Sequence, residues 1–547
     1  MTRVPLPIDA LDLRDRDAIF DALGREVFDL AIIGGGITGA GIARDAAMRG
    51  LTVALVEARD FASGTSSRSS KMIHGGLRYL AQGDLNLVRE AASERKAVEA
   101  IAPHLTRRTP FVMTFRNAAA EARLRAGLWT FEKLGDVPKE RRHEVWSRSE
   151  LTAREPAIDA TDVAGAVVYP EYLTDDARLT LANIRSAAGA GAMVASYARV
   201  EVVILEDGRA TALDVADTLP GGEARRARVR ARVIVNAAGP WVDAVRALES
   251  AGAPSRLALA RGVHLVVPRA ALPVTRTVIM SAADRRSVFA VPKGAVTYIG
   301  TTDTFHPVAE AWPPVTSDDV DYLLSAAAAR FSTPRLTVDD IVSVWSGVRP
   351  LVAQAGKSAS DISRKDELWT GPGGILSIAG GKLTAYRRMA ERVVDEVATL
   401  LGRSTAACRT AVDPLPGGDI APATLRAELL AAGREEIDAD RLIGLYGSEV
   451  RATLNTGSGP AVEAACAVLC EGALTLEDYW ARRSARAWFD VDAGMGAMPA
   501  AAEAMAPLLG WSADRVAQEI DGCREQHRRD MASLRGESET ASSDRLE

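Results

Sequence analysis

The sequence is poor in features that mark whole classes of protein. Its 547 residues include four cysteines, all after residue 400, and none of them forms a Cys-x-x-Cys pair. This pattern predicts neither a disulfide framework nor a cysteine zinc site, and it fits a reducing compartment. Aromatic residues make up only 5% and the formal net charge is −6. Both values argue against a nucleic-acid partner.

Long apolar runs are also missing. No stretch reaches the roughly 18 to 20 residues that a membrane helix needs, so any membrane contact is expected to be peripheral. The first twenty residues are charged and have no apolar core, and we therefore predict no signal peptide. The overall content of 47% apolar and 25% charged residues is ordinary for a globular protein.

Patterning divides the chain into an α/β part and a helical part. Strands, glycine turns and helices alternate in the first part, and alanine and leucine recur at helical spacing in the second. These periodicities predict a βαβ unit with a parallel sheet, a lobe of antiparallel strand pairs over about 160–310 that one further buried strand interrupts, and a separate helical domain. The predicted segments are an N-terminal extension (1–27), the α/β part (28–400) with its lobe mainly over 103–165 and 255–360, the helical domain (401–535) and a solvated tail (536–547).

A glycine fingerprint opens the α/β part. Gly34-x-Gly36-x-x-Gly39 follows the apolar strand "FDLAII" and begins a helix. Glu57 lies at the end of the next strand. Gly34 allows a tight turn, Gly36 lets a pyrophosphate approach the backbone, and Gly39 lets the helix pack close to the strand. Glu57 is placed to accept hydrogen bonds from an adenosine ribose. We predict a bound dinucleotide whose phosphates meet the helix N-terminus.

A second segment favours FAD over NAD. Residues 63–80, "SGTSSRSSKMIHGGLRYL", place many hydroxyl groups directly after the strand of Glu57. Further glycine turns follow two other apolar strands, at Ala238-Gly239 and at Gly380-Gly381-Lys382. A ligand longer than a nicotinamide dinucleotide would use all of them, and amides and a lysine at the last turn would stabilise negative charge on a reduced flavin. The predicted FAD contacts are Gly34, Gly36, Ile37, Thr38, Gly39, Glu57, Thr65, Ser66, Ser70, His74, Gly75, Gly76, Ala238, Gly239, Gly380, Gly381, Lys382, Leu383 and Thr384.

These segments resemble the FAD-dependent, aerobic glycerol-3-phosphate dehydrogenases. The resemblance lies in "FDLAIIGGGITGAGIARDAAMRGLTVALVEARDFASGTSSRSSKMIHGGLRYL", "VNAAGPWVD", "RGVHLVVP", "YIGTTDT", "SGVRPL" and "AGGKLTAYRRMAE", and it extends to "TLEDYWARRSARAWFDVDAG" in the helical part. It implies a glutathione-reductase-like FAD domain, a mixed-sheet substrate domain and a helical C-terminal domain. The implied reaction oxidises sn-glycerol 3-phosphate to dihydroxyacetone phosphate and passes the electrons to a membrane quinone.

The resemblance also implies a substrate pocket. Arg349 and Arg364 match the phosphate ligands of the family, while Arg78, Tyr79 and Lys382 match other residues of its pocket. Arginine suits the task, because its planar fork binds phosphate oxygens in pairs. The catalytic residues are predicted to be Arg349, Lys382 and His264.

Histidines are few, which narrows the search for a base that accepts the hydroxyl proton. The chain has six. His264 precedes a β run and is our choice for substrate contact or base, and His74 is expected to pack on the flavin ring. Either one titrates near neutral pH when unperturbed, so the identity of the base stays open.

Three further points stay open in the sequence. The acceptor is either a quinone or O₂, and a flavin-binding regulator without turnover is the alternative from another class. Residues 121–148 mix Trp129 and leucines with basic residues, and predict either an interfacial helix or a domain helix with one core face. The resemblance implies a cytoplasmic enzyme attached peripherally to the inner face of the membrane. The oligomeric state is undetermined, with a homodimer as one option.

Overall fold

The computed structural model describes residues 10–74, 85–354, 356–359, 362–363, 365–454 and 458–536. The predicted fold class is confirmed: an α/β arrangement with two mixed sheets is followed by a helical C-terminal region. The domain boundaries drawn from the sequence stay a prediction.

The described strands form two sheets. In the first, the order is β17-β18-β10-β1-β2-β7, and β9 and β8 extend it from β10; in the second, the order is β15-β11-β14-β13-β12-β4-β6-β3, with β16 beside β11 and β5 beside β6. The strands are β1 Val27–Ile33, β2 Val53–Val56, β3 Met72–Ile73, β4 Thr106–Phe115, β5 Glu144–Ser147, β6 Gly165–Thr174, β7 Met193–Ala195, β8 Ala198–Glu206, β9 Arg209–Asp217, β10 Arg226–Asn236, β11 Leu257–Pro268, β12 Thr277–Ser281, β13 Ser287–Lys293, β14 Val296–Gly300, β15 Thr304–Phe305, β16 Ser343–Val352, β17 Glu367–Thr370 and β18 Leu376–Ala379.

Helices cover the sheets and build the C-terminal region. They are α1 Arg16–Arg25, α2 Ile37–Met48, α3 Leu85–Ile101, α4 Ala118–Leu134, α5 Arg148–Arg154, α6 Asp176–Gly189, α7 Val242–Glu249, α8 Ser317–Ala328, α9 Tyr386–Leu400, α10 Pro422–Ala431, α11 Glu436–Tyr446, α12 Val450–Leu454, α13 Pro460–Glu471, α14 Arg486–Phe489, α15 Met498–Leu509 and α16 Ala513–Leu534. A π-helical turn, Asp478–Arg483, lies between α13 and α14. Within the described residues, no helix is both long and apolar enough to span a bilayer.

Strand β1 lies in the interior of the first sheet. It pairs in parallel with β10 on one side and β2 on the other, and every residue after Val27 is buried. Such burial on both faces produces the continuous apolar run seen in the sequence. Helix α2 follows at once, and its residues from Gly39 to Ala47 are buried, because it packs between the sheet, α6 and α9.

The C-terminal helices pack against the second sheet. Trp345 of β16, Tyr298 of β14, and the tryptophans Trp480 and Trp488 belong to one buried cluster. The other face of the same sheet packs on α8 and the end of α16. The C-terminal region therefore shares a core with the sheet that carries Arg349.

Candidate active site

A cavity of about 990 Å³ is lined by residues of both sheets. It collects most of the site residues predicted from the sequence. Those that line it are Gly34, Gly36, Ile37, Thr38, Glu57, Thr65, Ser66, Ser70, His74, Ala238, Gly239, Arg349, Gly380, Gly381, Lys382, Leu383 and Thr384. Predicted residues Gly75, Gly76, Arg78, Tyr79 and Arg364 lie outside the described residues.

The first glycine turn leaves no room for side chains. Gly34 has a φ of +112°, and a Cβ there would be 2.7 Å from the Ala237 carbonyl oxygen. A Cβ on Gly39 would be 1.9 Å from the carbonyl oxygen of Gly34. Gly39 does not line the cavity, so its role is to bring α2 against the turn. At Gly36 a Cβ would meet only the Ser66 hydroxyl, at 3.1 Å.

Glu57, at the end of the next strand, is hydrogen-bonded to the first glycine turn. Its carboxylate accepts hydrogen bonds from the backbone N–H of Gly35 at 2.7 Å and of Arg59 at 2.9 Å. Burial raises the pKa of Glu57, against the lowering effect of these two amides. Each carboxylate oxygen keeps a second lone pair, which leaves capacity for a ribose hydroxyl at the cavity wall.

The hydroxyl-rich segment lies beside the N-terminus of α2. The Ser66 hydroxyl accepts a hydrogen bond from the N–H of Ile37 at 2.9 Å, in the first turn of the helix. Thr65 donates to the carbonyl oxygen of Val348 at 2.5 Å, and so ties the segment to β16. Ser70 contacts His264 at 2.9 Å. Hydroxyls and helix amides thus converge on one end of the cavity, where phosphate oxygens are bound well.

The other two glycine turns line the same cavity. Gly239 has a φ of +57°, and Gly380 and Gly381 have φ values of +79° and +75°. A Cβ on Gly380 would be 2.6 Å from the Lys365 carbonyl oxygen. Lys382 follows and precedes α9. Three turns after three buried strands, around a cavity of this size, fit the extended FAD molecule and exceed what a mononucleotide needs.

Arg349 projects from β16 into the cavity. Its guanidinium donates to the Thr301 hydroxyl at 2.9 Å, to the Thr302 carbonyl oxygen at 3.2 Å and to the Asp303 carboxylate at 3.1 Å. Its side chain is 22% exposed. A Cβ on Gly262 of β11 would be 2.1 Å from the guanidinium, so the glycine of "RGVH" makes the space for this side chain.

His264 is placed differently from the expectation of a cavity residue. It is 1% exposed and does not line the cavity. Its Nε2 contacts the Ser70 hydroxyl, its ring stacks on Trp345 at 4.7 Å, and its Nδ1 has no hydrogen-bond partner among the described residues. Burial lowers the pKa of His264 well below its ordinary value, and the charges of Arg349 and Lys71 add to this effect. His264 reaches the cavity only through Ser70.

His74 lines the cavity and is neutral. Burial, with a smaller contribution from Lys382, lowers the pKa of His74 to about 3. Its carbonyl oxygen accepts a 3.4 Å hydrogen bond from Thr384. A neutral imidazole at this wall suits packing against an uncharged ring.

Some residues of the cavity were missed by the sequence reasoning. Asp303 and Thr301 hold Arg349, and Trp241 packs over Gly64, where a Cβ would be 3.0 Å from its ring. The motif "YIGTTDT" contained the first two, but it is the pairing of β11 with both β14 and β16 that brings them beside Arg349. Phe289 of β13 also lines the cavity, and no local signal in the sequence indicates it.

This fold and cavity define an FAD-dependent oxidoreductase. The family model described as FAD dependent oxidoreductase matches residues 29–387, and the model described as the C-terminal domain of alpha-glycerophosphate oxidase matches residues 408–516. The predicted cofactor, FAD, is confirmed.

Comparison with individual proteins narrows the family. An aerobic glycerol-3-phosphate dehydrogenase of Bacillus subtilis is 37% identical over 505 residues, 87% of this chain and 90% of the relative. One from Staphylococcus aureus is 36% identical over 93% of this chain and 95% of the relative. The solved glycerol-3-phosphate dehydrogenase of Bacillus halodurans, complexed with FAD, superposes with a TM-score of 0.80 at 32% identity, over 96% of this chain and 99% of that one. The chain belongs to the family of aerobic glycerol-3-phosphate dehydrogenases, as the sequence predicted.

Proposed function

We propose that this enzyme oxidises sn-glycerol 3-phosphate to dihydroxyacetone phosphate and passes the electrons to a membrane quinone. The observation that carries the proposal is the position of Arg349, whose guanidinium opens into the cavity that the three glycine turns line. An anion ligand and a flavin site in one cavity match a phosphorylated alcohol. The names of the relatives support the same substrate.

In this proposal Arg349 binds the substrate phosphate. Its fork is held by Thr301 and Asp303, so little side-chain entropy is lost when the phosphate arrives. Lys382 lies in the same cavity and adds a second positive charge beside the reacting centre. FAD, when bound, supplies the acceptor for the hydride from carbon 2 of the substrate.

The proton of the substrate hydroxyl is assigned to a relay of Ser70 and His264. Ser70 lines the cavity, and its hydroxyl contacts His264 Nε2 at 2.9 Å. In the free protein the depressed pKa makes this imidazole a weak base, because burial disfavours the protonated ring and the charges of Arg349 and Lys71 add to that effect. A phosphate dianion on Arg349 offsets one of those charges, so substrate binding itself raises the basicity of His264.

Peripheral attachment to the membrane is proposed through α4. The helix packs Leu128 and Phe131 inward, which agrees with a domain helix that has one core face. Trp129 points outward and is 55% exposed, with Lys133 over its ring at 5.2 Å. An exposed tryptophan beside a basic residue suits a lipid headgroup region. Binding to vesicles made of neutral and anionic phospholipid should fall for Trp129→Ala and stay unchanged for the exposed Val412→Ala.

The decisive experiment is anaerobic reduction of the bound flavin. Glycerol 3-phosphate should bleach the 450 nm region, while unphosphorylated glycerol should do so far more slowly. Arg349→Ala should need much more substrate, and Arg349→Lys, which keeps the charge but loses the fork, should lie between. Equal bleaching by glycerol and by its phosphate would contradict the phosphate assignment. A protein that no concentration bleaches would be the non-catalytic regulator.

A second candidate acceptor is O₂. The description of the C-terminal family model, which names an oxidase, favours it. Steady-state turnover in air should yield one peroxide per substrate if O₂ is the acceptor. For a quinone-linked enzyme, little peroxide should form, and a short-chain quinone should accelerate turnover.

A further inference from the structure

Residues 57–70, here called the supporting turn, wall the cofactor cavity. They are also one of the places where buried charges of the C-terminal region meet the FAD-binding part of the chain. Among the described residues, the C-terminal region contributes none to the cavity lining, yet ion pairs join it to the supporting turn.

Asp60 is the centre of this junction. Both of its carboxylate oxygens accept hydrogen bonds from arginines of the π-helical turn. Arg483 donates to Oδ1 at 2.8 Å and also to Oδ2, and Arg482 donates to Oδ2. All three side chains are buried to within 2% exposure. Burial raises the pKa of Asp60, but the charges of Arg483 and Arg482 outweigh it, so the pKa lies below its ordinary value. Arg482 also binds Asp478 at 2.8 Å.

The residues beside Asp60 hold the first glycine turn. The ring of Phe61 fills the space over Gly35, where a Cβ would be 2.6 Å from the ring. The N–H of Ala62 donates to the Gly35 carbonyl oxygen at 3.1 Å. Ala62 adopts a φ of +62°, a conformation that is costly for a residue with a Cβ. A backbone strained in this way persists only where neighbouring contacts hold it.

Arg68 forms a second link to the C-terminal region. Its guanidinium lies 3.7 Å from the ring centre of Trp312, in the α/β part, and 5.4 Å from that of Trp488, in the C-terminal region. None of its three nitrogens has a hydrogen-bond partner among the described residues, so the rings and the nearby charges of Glu477 and Asp530 in the C-terminal region attract it. Arg68 is two residues from Ser66, which caps the N–H of Ile37.

We propose that Arg482, Arg483 and Trp488 of the C-terminal region are positioning residues for the cofactor: through Asp60 and Arg68 they hold the supporting turn against the first glycine turn. Buried ion pairs rarely stabilise a fold more than apolar residues of equal volume. Here they fix one arrangement of a strained turn. The inference rests on the FAD site and not on the identity of the substrate.

The test compares two buried ion pairs of the same interface. Asp60→Asn removes the charge at the supporting turn. Glu449→Gln removes the partner of Arg185, a pair at 2.7 Å that also joins α6 to the C-terminal region but lies outside the cavity lining. Two quantities are measured: the FAD dissociation constant of the FAD-free protein, by quenching of flavin fluorescence, and amide hydrogen exchange over residues 57–70.

Asp60→Asn is expected to weaken FAD binding by about tenfold or more and to speed exchange in the supporting turn. Glu449→Gln is expected to lower the thermal midpoint while FAD affinity stays within about twofold of the wild type. Equal losses of FAD affinity in both variants would overturn the proposal, since they would reflect general destabilisation. So would unchanged affinity in Asp60→Asn. Neither readout involves substrate, so failure here is distinct from failure of the proposed reaction.

Arg68→Met keeps the test decisive if Asp60→Asn does not fold. It removes the guanidinium, which has no hydrogen-bond partner among the described residues, and retains the packing of the stem between the rings. FAD binding should weaken by about threefold or more, with faster exchange over residues 57–70. Wild-type affinity and wild-type exchange in a folded Arg68→Met protein would overturn the role of the supporting turn.

Discussion

In the proposed function, the two ends of the cavity recognise their ligands in different ways. At the nucleotide end, around Gly34 and Gly39, the backbone itself forms the surface, and what matters is the absence of side chains. At the anion end, Arg349 is a single charged group whose direction is set by Thr301 and Asp303. The nucleotide end should therefore lose its ligand when a side chain is added to one of its glycines. The anion end should lose affinity when the Arg349 guanidinium is removed or is no longer held in its direction.

The largest effect is expected at Gly39. In Gly39→Ala the new Cβ would lie 1.9 Å from the Gly34 carbonyl oxygen, which is backbone and cannot rotate away. Helix α2 must then move from the turn, and we expect no retained FAD and a loss of stability of about 3 kcal/mol or more. Flavin content after purification and the thermal midpoint measure this.

The control is a glycine with free space. A Cβ on Gly127 of α4 meets nothing within 4 Å, so Gly127→Ala should stabilise the protein by about 0.5 to 1 kcal/mol and leave flavin content unchanged. Full flavin content in Gly39→Ala would show that the nucleotide end does not depend on this close approach.

The next effect is expected at Arg349. Arg349→Ala removes the proposed phosphate ligand and its ion pair with Asp303, so kcat/KM should fall by about 100-fold or more, with FAD retained. Arg349→Lys should recover part of this loss. Steady-state rates at varied glycerol 3-phosphate measure it, and a loss of flavin along with activity would mean that the two ends are not independent.

A smaller effect is expected at Asp303. Asp303→Asn keeps a hydrogen-bond acceptor for Arg349 but removes the charge that holds it, so KM should rise by about tenfold while kcat changes less. Asp284→Asn is the matched control: this carboxylate also lines the cavity, but it binds Arg286 at 2.6 Å instead. Equal changes in the two variants would show that the overall charge of the cavity, and not the direction of Arg349, sets the affinity.

The nucleotide end and the anion end of the cavity also differ in how far the sequence could predict them. The glycine turn is local: strand, turn, helix and Glu57 lie within 31 residues, and each has one steric reason for its residue type. The fold class could therefore be predicted, as could the position of the first glycine turn at the cavity, while the nucleotide contacts stay a prediction. The arrangement around Arg349 depends on the pairing of β11 with β14 and β16, which no local pattern contains, so Asp303 was missed.

The burial of His264 is the clearest example of a feature that could not be predicted from the sequence. A histidine beside an apolar run could face either side of its strand. The structure turns it away from the cavity lining, with its ring in the space left by Gly300, where a Cβ would be 2.1 Å from the ring. In the free protein, burial lowers the pKa of His264 well below its ordinary value, and the charges of Arg349 and Lys71 add to this effect, so the unperturbed value does not apply and the role of base stays a prediction.

This depressed pKa gives the smallest predicted effect. Below the ordinary value of about 6.5 the unfolded chain binds a proton at His264 and the folded protein does not, so stability falls as the pH falls. Between pH 6.5 and 5 the wild type should lose about 1.5 kcal/mol relative to His264→Gln, measured by urea unfolding at each pH.

The same pH measurement also tests the electrostatic link between Arg349 and His264. Phosphate bound at Arg349 would offset one of the two charges that add to the effect of burial on the pKa of His264, so added inorganic phosphate should reduce the difference between the two pH profiles. In Arg349→Ala the difference should be smaller from the start, with no further response to phosphate. Parallel profiles for wild type and His264→Gln without phosphate would show that the folded protein takes up this proton, and that the anion end does not control the histidine.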